Sequence, residues 1–100
     1  MIEGISLTYP IYNDEATVRK VTEKAIQFLK SLPYEHEIII VDDGSPDRSG
    51  EIADEMSLLY PCIRVIHHPK NLGYGAAIRA GLSACRYEYI CAIDGDDEYE

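Results

Sequence analysis

The stretch from residue 37 to residue 45, Glu-Ile-Ile-Ile-Val-Asp-Asp-Gly-Ser, decides the fold of this chain. Residues 38–41 form a continuous apolar run in which every side chain is β-branched. Such a run is typical of a strand that helices cover on both faces of a parallel sheet, because a strand with one wet face would alternate apolar and polar residues. Asp42 and Asp43 follow at once, and a Gly-Ser pair then favours a turn. The sequence therefore predicts a central parallel strand that ends in two carboxylates.

Outward from this strand, other apolar runs alternate with segments of helical period. The strands are predicted at residues 5–9, 37–41, 63–67 and 89–93, and the helices at about 18–32, 48–59 and 75–86. Asp14 is the predicted N-cap of the first helix. The order β-α-β-α-β-α-β predicts an α/β fold, a Rossmann-like parallel sheet with right-handed crossovers and strand order 3-2-1-4.

Composition limits the possible classes of protein. The 100 residues, 46% of them hydrophobic, suit one packed core and no second domain. No apolar run reaches the roughly 18 residues of a membrane helix, and no secretory signal is recognisable, so we expect a cytoplasmic protein, held at the cytoplasmic face of a membrane only through regions absent from this sequence. The formal net charge of -9 argues against a nucleic-acid partner. The three cysteines lack C-x-x-C spacing and are predicted to be reduced, buried thiols.

Most of the unusual chemistry follows the predicted strands directly. In an open parallel sheet, ligands bind beyond the carboxyl ends of the strands, where the strand order reverses. The segments at those ends are residues 10–14, 42–45, 68–71 and 94–98. We expect them to share one edge of the sheet, which we call the carboxyl rim.

Acidic residues are densest at the last of these segments. Asp94, Asp96 and Glu98 alternate along the chain, so an extended backbone would point all three carboxylates the same way. Oxygen ligands suit Mg²⁺ or Mn²⁺, and water and phosphate oxygens would complete the coordination. The alternative is a solvated acidic turn with no cation.

Asp42 and Asp43 have two interpretations. A carboxylate at the end of a buried strand is costly unless it accepts hydrogen bonds, and the ring N–H groups of a base or a ribose hydroxyl would supply them. Alternatively, either side chain caps the turn over residues 44–47 and needs no ligand.

The loops after the first and third strands add weaker signals. Pro10 fixes the backbone, and the ring of Tyr12 either stacks on a base or packs at the rim. Lys70 and Asn71 precede the third helix, whose N-terminal amides favour a diphosphate. Residues 73–78 begin like a dinucleotide-binding fingerprint, but an Ile stands at the third small position and the loop follows the third strand instead of the first. We therefore reject a nicotinamide or flavin enzyme.

Adjacent histidines end the third predicted strand. Successive side chains of a strand point to opposite faces, so His67 and His68 cannot form a zinc pair by themselves. We expect both to have structural or rim-packing roles.

Taken together and in this order, the loop segments resemble the start of family 2 glycosyltransferases of GT-A fold. The segments that carry the resemblance are residues 10–14 (PIYND), 41–45 (VDDGS), 71–73 (NLG) and 94–96 (DGD). Residues 68–77, with the acidic residue two past Asp96, are more similar to the polyprenyl-phosphate mannose and glucose synthase branch than to polysaccharide synthases. That branch typically has Glu where Asp14 stands and Gln where Glu98 stands.

The resemblance implies an inverting, metal-dependent enzyme that transfers a sugar from a nucleoside-diphosphate sugar to a polyprenyl phosphate or a saccharide. It implies these roles: Pro10, Tyr12 and Asp14 in the nucleoside pocket, Asp42 or Asp43 at the base, and Asp94 and Asp96 at the ribose side and the metal. It also implies that residues 1–100 are the N-terminal, nucleotide-sugar-binding part of one catalytic domain, truncated at its C-terminal end, with the general base beyond residue 100. The open sheet edge of such a part is expected to favour self-association.

A signalling receiver domain is the rival from another class. Residues 39–44 resemble the acidic pair of a receiver, and Asp94 would then be the phosphorylated aspartate. The additional β-α unit before residue 37 and the absence of a later strand bearing a Lys argue against it.

Overall fold

The predicted alternation of strands and helices is confirmed in a computed structural model, which describes residues 3–93. The elements are β1 (Gly4–Ile11), α1 (Val18–Lys30), β2 (Glu35–Asp42), α2 (Ser49–Leu59), β3 (Ile63–His67), α3 (Tyr74–Ala84) and β4 (Tyr89–Ala92). The sheet has the order β3-β2-β1-β4, and every pairing is parallel. The predicted strand order 3-2-1-4 is therefore correct.

The apolar run of β2 is buried on both faces of the sheet, as its composition predicted. Ile38 and Ile40 belong to the larger core cluster, which includes apolar side chains of α1 and α2. Ile39 and Val41 belong to a second cluster, which includes Ala77 of α3. These four side chains of β2 are 0% exposed. Helices thus cover both sides of β2, which explains why it shows no polar alternation.

The first helix begins differently from the prediction. Its N-cap is Thr17, and Asp14 contributes its backbone carbonyl, which accepts hydrogen bonds from Thr17 N at 2.8 Å and Val18 N at 3.1 Å. The Asp14 carboxylate instead accepts a hydrogen bond from Tyr12 N at 3.0 Å. The prediction of Asp14 as N-cap was therefore wrong, because its side chain stabilises the turn that precedes the helix.

The cysteines are free thiols, as predicted, but each is only partly buried. Cys62 and Cys91 pack against the larger core cluster, and Cys85 packs against the smaller one. Burial raises the pKa of the Cys62 and Cys85 thiols. The raised pKa favours the protonated thiol in both residues at neutral pH.

β4 forms one edge of the sheet and is the least covered strand. Tyr89 is 51% exposed and Ile90 is 41% exposed. This exposed apolar edge is the feature on which the expected self-association depends, and self-association itself stays a prediction. Among residues 3–93, no helix has both the length and the apolar character needed to cross a bilayer.

Candidate functional site

The carboxyl rim contains two aspartate–histidine pairs that sequence inspection missed. The register of β2 and β3 pairs Asp42 with His67, so the adjacent residues Asp43 and His68 also meet. His67 Nδ1 lies 2.8 Å from Asp42 Oδ2, and His68 Nδ1 lies 2.8 Å from Asp43 Oδ1. His67 also contacts α2, whereas Asp43 contacts the loop before α3. The signal in the sequence was two adjacent Asp and two adjacent His at the ends of two strands that the predicted strand order already placed side by side.

Asp43 anchors the loop that leads into α3. Its side chain is 4% exposed. Besides His68, Oδ1 accepts a hydrogen bond from Leu72 N at 3.0 Å, while Oδ2 accepts from Asn71 Nδ2 at 3.1 Å and from Gly73 N at 3.0 Å. Burial alone would raise the pKa of this carboxyl group, but the hydrogen bonds from His68, Leu72 N and Gly73 N lower it. Asp43 is therefore an ionised carboxylate whose acceptor sites are taken up by its own chain.

Asp42 caps the turn that follows β2, as the ligand-free interpretation expected. Its Oδ1 accepts a hydrogen bond from Ser45 N at 3.0 Å, and its Oδ2 faces His67. Because a carboxylate has about four acceptor sites, these contacts leave capacity for another donor. Contact of Asp42 or Asp43 with a base stays a prediction.

The loops after β2 and β3 also meet backbone to backbone. Gly44 adopts a φ of +72°, and a Cβ at this position would overlap the backbone of Lys70 and the amide of Asn71. A residue with a side chain would be strained by the φ and would push the two loops apart. Lys70 itself is exposed at the rim, beside the anchored loop.

The loop after β1 is joined to the loop after β2 and to the start of α2 by serine side chains. Asn13 N donates to Ser45 Oγ at 3.2 Å, and Asp14 N donates to Ser49 Oγ at 2.7 Å. Tyr12 lies between these contacts and β1, and its side chain is 45% exposed at the rim. The structure therefore brings the predicted residues Tyr12 and Asp14 next to the turn that Asp42 caps.

Pro10 lies inside β1, one residue before the end of the strand. It pairs with Val41 of β2, and among the described residues the pairing of β1 with β4 runs as far as Thr8. Proline has no backbone N–H, so Pro10 donates no hydrogen bond to a neighbouring strand.

The last described residue, Ile93, directly precedes the predicted metal segment in the sequence. Ile93 N donates to Thr8 O at 3.0 Å, so the chain leaves β4 beside the carboxyl end of β1. Asp94, Asp96 and Glu98 lie outside the described residues. Within residues 3–93, no group of three or more His, Cys, Asp or Glu side chains is arranged to hold a metal ion. The metal site therefore stays a prediction.

The fold and the rim define the class of protein first: a doubly wound α/β unit whose described polar residues gather beyond the carboxyl ends of β1, β2 and β3. Residues 6–100 match the sequence model of the family described as Glycosyl transferase family 2. The chain belongs to this family. Membership decides between the glycosyltransferase and the receiver interpretations in favour of the first.

One relative supports the more specific resemblance. The chain is 36% identical over 97 residues to the dolichyl-phosphate beta-glucosyltransferase ALG5A of Trichomonas vaginalis. The match covers 92% of this chain and 30% of that protein. The chain thus spans about a third of the length of the relative it matches.

Solved structures share the fold. TarS 1-349 of S. aureus in complex with UDP-GlcNAc has a TM-score of 0.79 and 25% identity, over 93% of this chain and 26% of that one. A mannosyltransferase of Pyrobaculum calidifontis in complex with GDP-Man and Mn²⁺ has a TM-score of 0.80 and 16% identity, over 92% of this chain and 27% of that one. The Rossmann-like sheet is therefore that of GT-A glycosyltransferases.

Proposed function

We propose that this chain forms the nucleotide-sugar-binding part of an inverting glycosyltransferase that transfers a sugar from a nucleoside-diphosphate sugar to a polyprenyl phosphate or a saccharide. The observation that carries the proposal is the carboxyl rim, where the loops after β1, β2 and β3 are joined by hydrogen bonds. The relative named as a dolichyl-phosphate glucosyltransferase favours a polyprenyl-phosphate acceptor. The UDP-GlcNAc and GDP-Man complexes of the structural neighbours favour a nucleoside-diphosphate sugar as donor.

Within this proposal, different rim residues bind different parts of the nucleoside-diphosphate sugar. The exposed ring of Tyr12 stacks on the base, and Asp42 accepts a hydrogen bond from it, because Asp42 has acceptor capacity that Asp43 lacks. Lys70 offers a positive charge to the diphosphate. Asn71 acts through the loop, since its side chain donates to Asp43.

The family resemblance also includes a divalent cation, Mg²⁺ or Mn²⁺. Asp94, Asp96 and Glu98 would hold it, because carboxylate oxygens are the donors that these ions prefer. When bound, such an ion stabilises the negative charge that develops on the departing diphosphate. The Mn²⁺ in the mannosyltransferase complex supports this assignment.

The chemistry of the acceptor determines how much general-base catalysis is required. An acceptor oxygen attacks the anomeric carbon from the side opposite the leaving nucleoside diphosphate, which inverts the configuration. A polyprenyl phosphate is already an anion and needs no base, whereas a saccharide hydroxyl must lose a proton. We assign no residue of this chain as the general base.

Calorimetric titration with UDP and GDP, in the presence and absence of Mg²⁺ or Mn²⁺, tests the proposal. We expect metal-dependent binding that Asp96→Asn weakens about tenfold to hundredfold, since losing one charged ligand contact costs about 1.5 to 3 kcal/mol. Asp97→Asn is the matched control, because it removes the same charge from a position outside the alternating set. Equal affinities for the two variants would contradict the metal assignment, and no nucleotide binding under any condition would contradict the proposed function.

A further inference from the structure

His67 bridges two carboxylates at the carboxyl rim. Its Nδ1 lies 2.8 Å from Asp42 Oδ2, and its Nε2 lies 2.9 Å from Asp54 Oδ1. An ionised carboxylate can only accept hydrogen bonds, and a neutral imidazole carries a single N–H. Both contacts are therefore hydrogen bonds only when the ring is protonated on both nitrogens. The two contacts together favour the imidazolium.

The charges around the ring favour the same state. Among the described residues, the titratable groups that face His67 are Asp42, at the end of β2, and Asp54, on α2. The hydrogen bond with Asp42, and after it the one with Asp54, raises the pKa of His67 above its ordinary value, while partial burial opposes them. The side chain of Asp42 is 9% exposed and that of Asp54 is 57% exposed. The imidazolium therefore compensates a buried charge on one side and links it to the protein surface on the other.

The bridge continues into the loops of the donor site. Asp42 Oδ1 accepts the hydrogen bond from Ser45 N, and Ser45 Oγ accepts the one from Asn13 N. Gly50 of α2 lies directly under this arrangement, because a Cβ there would overlap Asp42 Oδ2 and approach His67 Cε1 to 3.2 Å. The position of the Asp42 carboxylate thus depends on His67 and in turn fixes the turn beside Tyr12.

We propose that His67 is a positioning residue for donor binding, which in its protonated form holds the Asp42 carboxylate in place and offsets its charge. This inference rests on the proposed function, because Asp42 is assigned there to the base. When His67 loses its proton, one ring nitrogen presents a lone pair to a carboxylate, the bridge to α2 opens, and Asp42 loses its compensating charge. Donor affinity therefore falls as the pH rises through the pKa of His67.

The test compares the chain with two variants, His67→Asn and Asp54→Asn. Asn places an amide N–H near the position of Nδ1 and keeps a donor to Asp42 without a titratable proton. Asp54→Asn preserves the shape of the outer partner but removes its charge, so it lowers the pKa of His67. The readouts are the NMR titration of the histidine ring protons, the backbone amide shift of Ser45, and calorimetric affinity for UDP and GDP with Mg²⁺ from pH 5.5 to pH 9.

We expect His67 to titrate above the ordinary histidine value of about 6.5 and the Ser45 amide shift to follow the same curve. In the unmodified chain, nucleotide affinity falls about threefold to tenfold across this transition, and in Asp54→Asn the transition moves to lower pH. In His67→Asn, the fall of nucleotide affinity that follows the titration of His67 is absent. The nucleotide phosphates still titrate in this variant as they do with the unmodified chain. A His67 pKa at or below the ordinary value, or the same pH dependence in His67→Asn, would overturn the inference.

The two proposals fail separately. If no nucleotide binds at any pH, the proposed function fails, while the coupled titration of His67 and the Ser45 amide still decides whether the imidazolium positions Asp42. If His67→Asn does not fold, the shift of the transition in Asp54→Asn decides the same question.

Discussion

Glu37 and Asp43 are buried carboxylates at opposite ends of β2, and they are neutralised differently. Glu37 is 1% exposed and faces two guanidinium groups, with Arg86 Nε at 3.0 Å and Arg64 Nη2 at 3.1 Å, besides Ser6 Oγ at 2.6 Å. Asp43, in contrast, is held by an imidazole, a side-chain amide and backbone amides of a loop.

Under the proposed function, the difference separates residues that stabilise the sheet from residues that take part in donor binding. At the amino end, permanent charges from β3 and from the turn after α3 fix β2 in its place. At the carboxyl rim, amide dipoles and histidine side chains hold the loops. Because these groups already satisfy the Asp43 carboxylate, Lys70 is not used to neutralise it. The comparison predicts that substitutions at Glu37 change mainly stability, whereas substitutions at the rim change stability and donor binding together.

Glu37→Ala is expected to have the largest effect. Burial alone would raise the pKa of Glu37, but the hydrogen bonds from Ser6, Arg86 and Arg64 lower it, so the carboxylate is ionised and fully engaged. Removal of the carboxylate should lower the free energy of unfolding by about 2 to 4 kcal/mol. This loss is smaller than for breaking a fully buried ion pair, because both guanidinium groups remain partly in water. Urea unfolding measures this loss, and Glu35→Ala, at an exposed position of the same strand, is the control. A large fall in the nucleotide affinity of the folded variant would break the comparison.

Asp43→Asn is expected to cost about 1 to 3 kcal/mol, because the amides of Leu72 and Gly73 would face an NH₂ group or a weaker acceptor. The pKa of Asp43 is lowered in the folded state. Its contribution is therefore present above the ordinary carboxyl value of about 3.9 and is lost as the pH falls through the lower folded pKa. Urea unfolding at pH 7 and pH 3 should show a smaller acid-induced loss in the variant than in the unmodified chain. Nucleotide affinity should fall as well, and its full retention would contradict a role for this loop in donor binding.

The sequence was sufficient for the framework of the fold but not for this pair of carboxylates. The apolar run over residues 38–41 and the alternation of periods identify the strands, because both depend on local composition. Glu37 was predicted only as the start of a strand, since its partners Arg64 and Arg86 are 27 and 49 residues away. Likewise, the contact of Asp42 with His67 depends on the register between β2 and β3, which only the assembled sheet determines.

Gly50→Ala sharpens the comparison at the rim itself. The added methyl group would overlap Asp42 Oδ2, so that the carboxylate must shift. With the gain in helix propensity included, the free energy of unfolding should fall by about 1 to 2 kcal/mol. Gly75→Ala in α3 is the matched control, since its Cβ would approach only the flexible end of Arg79, at 3.4 Å. In thermal unfolding, the melting temperature of Gly75→Ala should equal or exceed that of the unmodified chain. Equal melting temperatures for the two variants would show that Asp42 moves without cost.

The surface pair of Arg19 and Glu55 should have the smallest effect. The Arg19 Nη2 to Glu55 Oε1 distance is 2.8 Å, but both side chains are about half exposed, at 47% and 48%. A double-mutant cycle with alanine should give a coupling of about 0.2 to 1 kcal/mol that decreases with added salt. A coupling as large as the loss in Glu37→Ala would remove the distinction between buried and exposed charges.

The position of β1 in the middle of the sheet has a consequence for the order in which the chain folds. β1 is the first strand in sequence, yet it pairs with β4, the last described strand, as well as with β2. Residues 4–67 contain β1, β2 and β3 with both helices of one face, and their contacts close shorter loops than the pairing of Leu7 with Cys91. Closing the longer loop loses more chain entropy before any stabilising contact forms. We therefore expect β4 to pair with β1 late in folding. During synthesis, the side of β1 that pairs with β4 therefore stays open until residues 89–92 have left the ribosome.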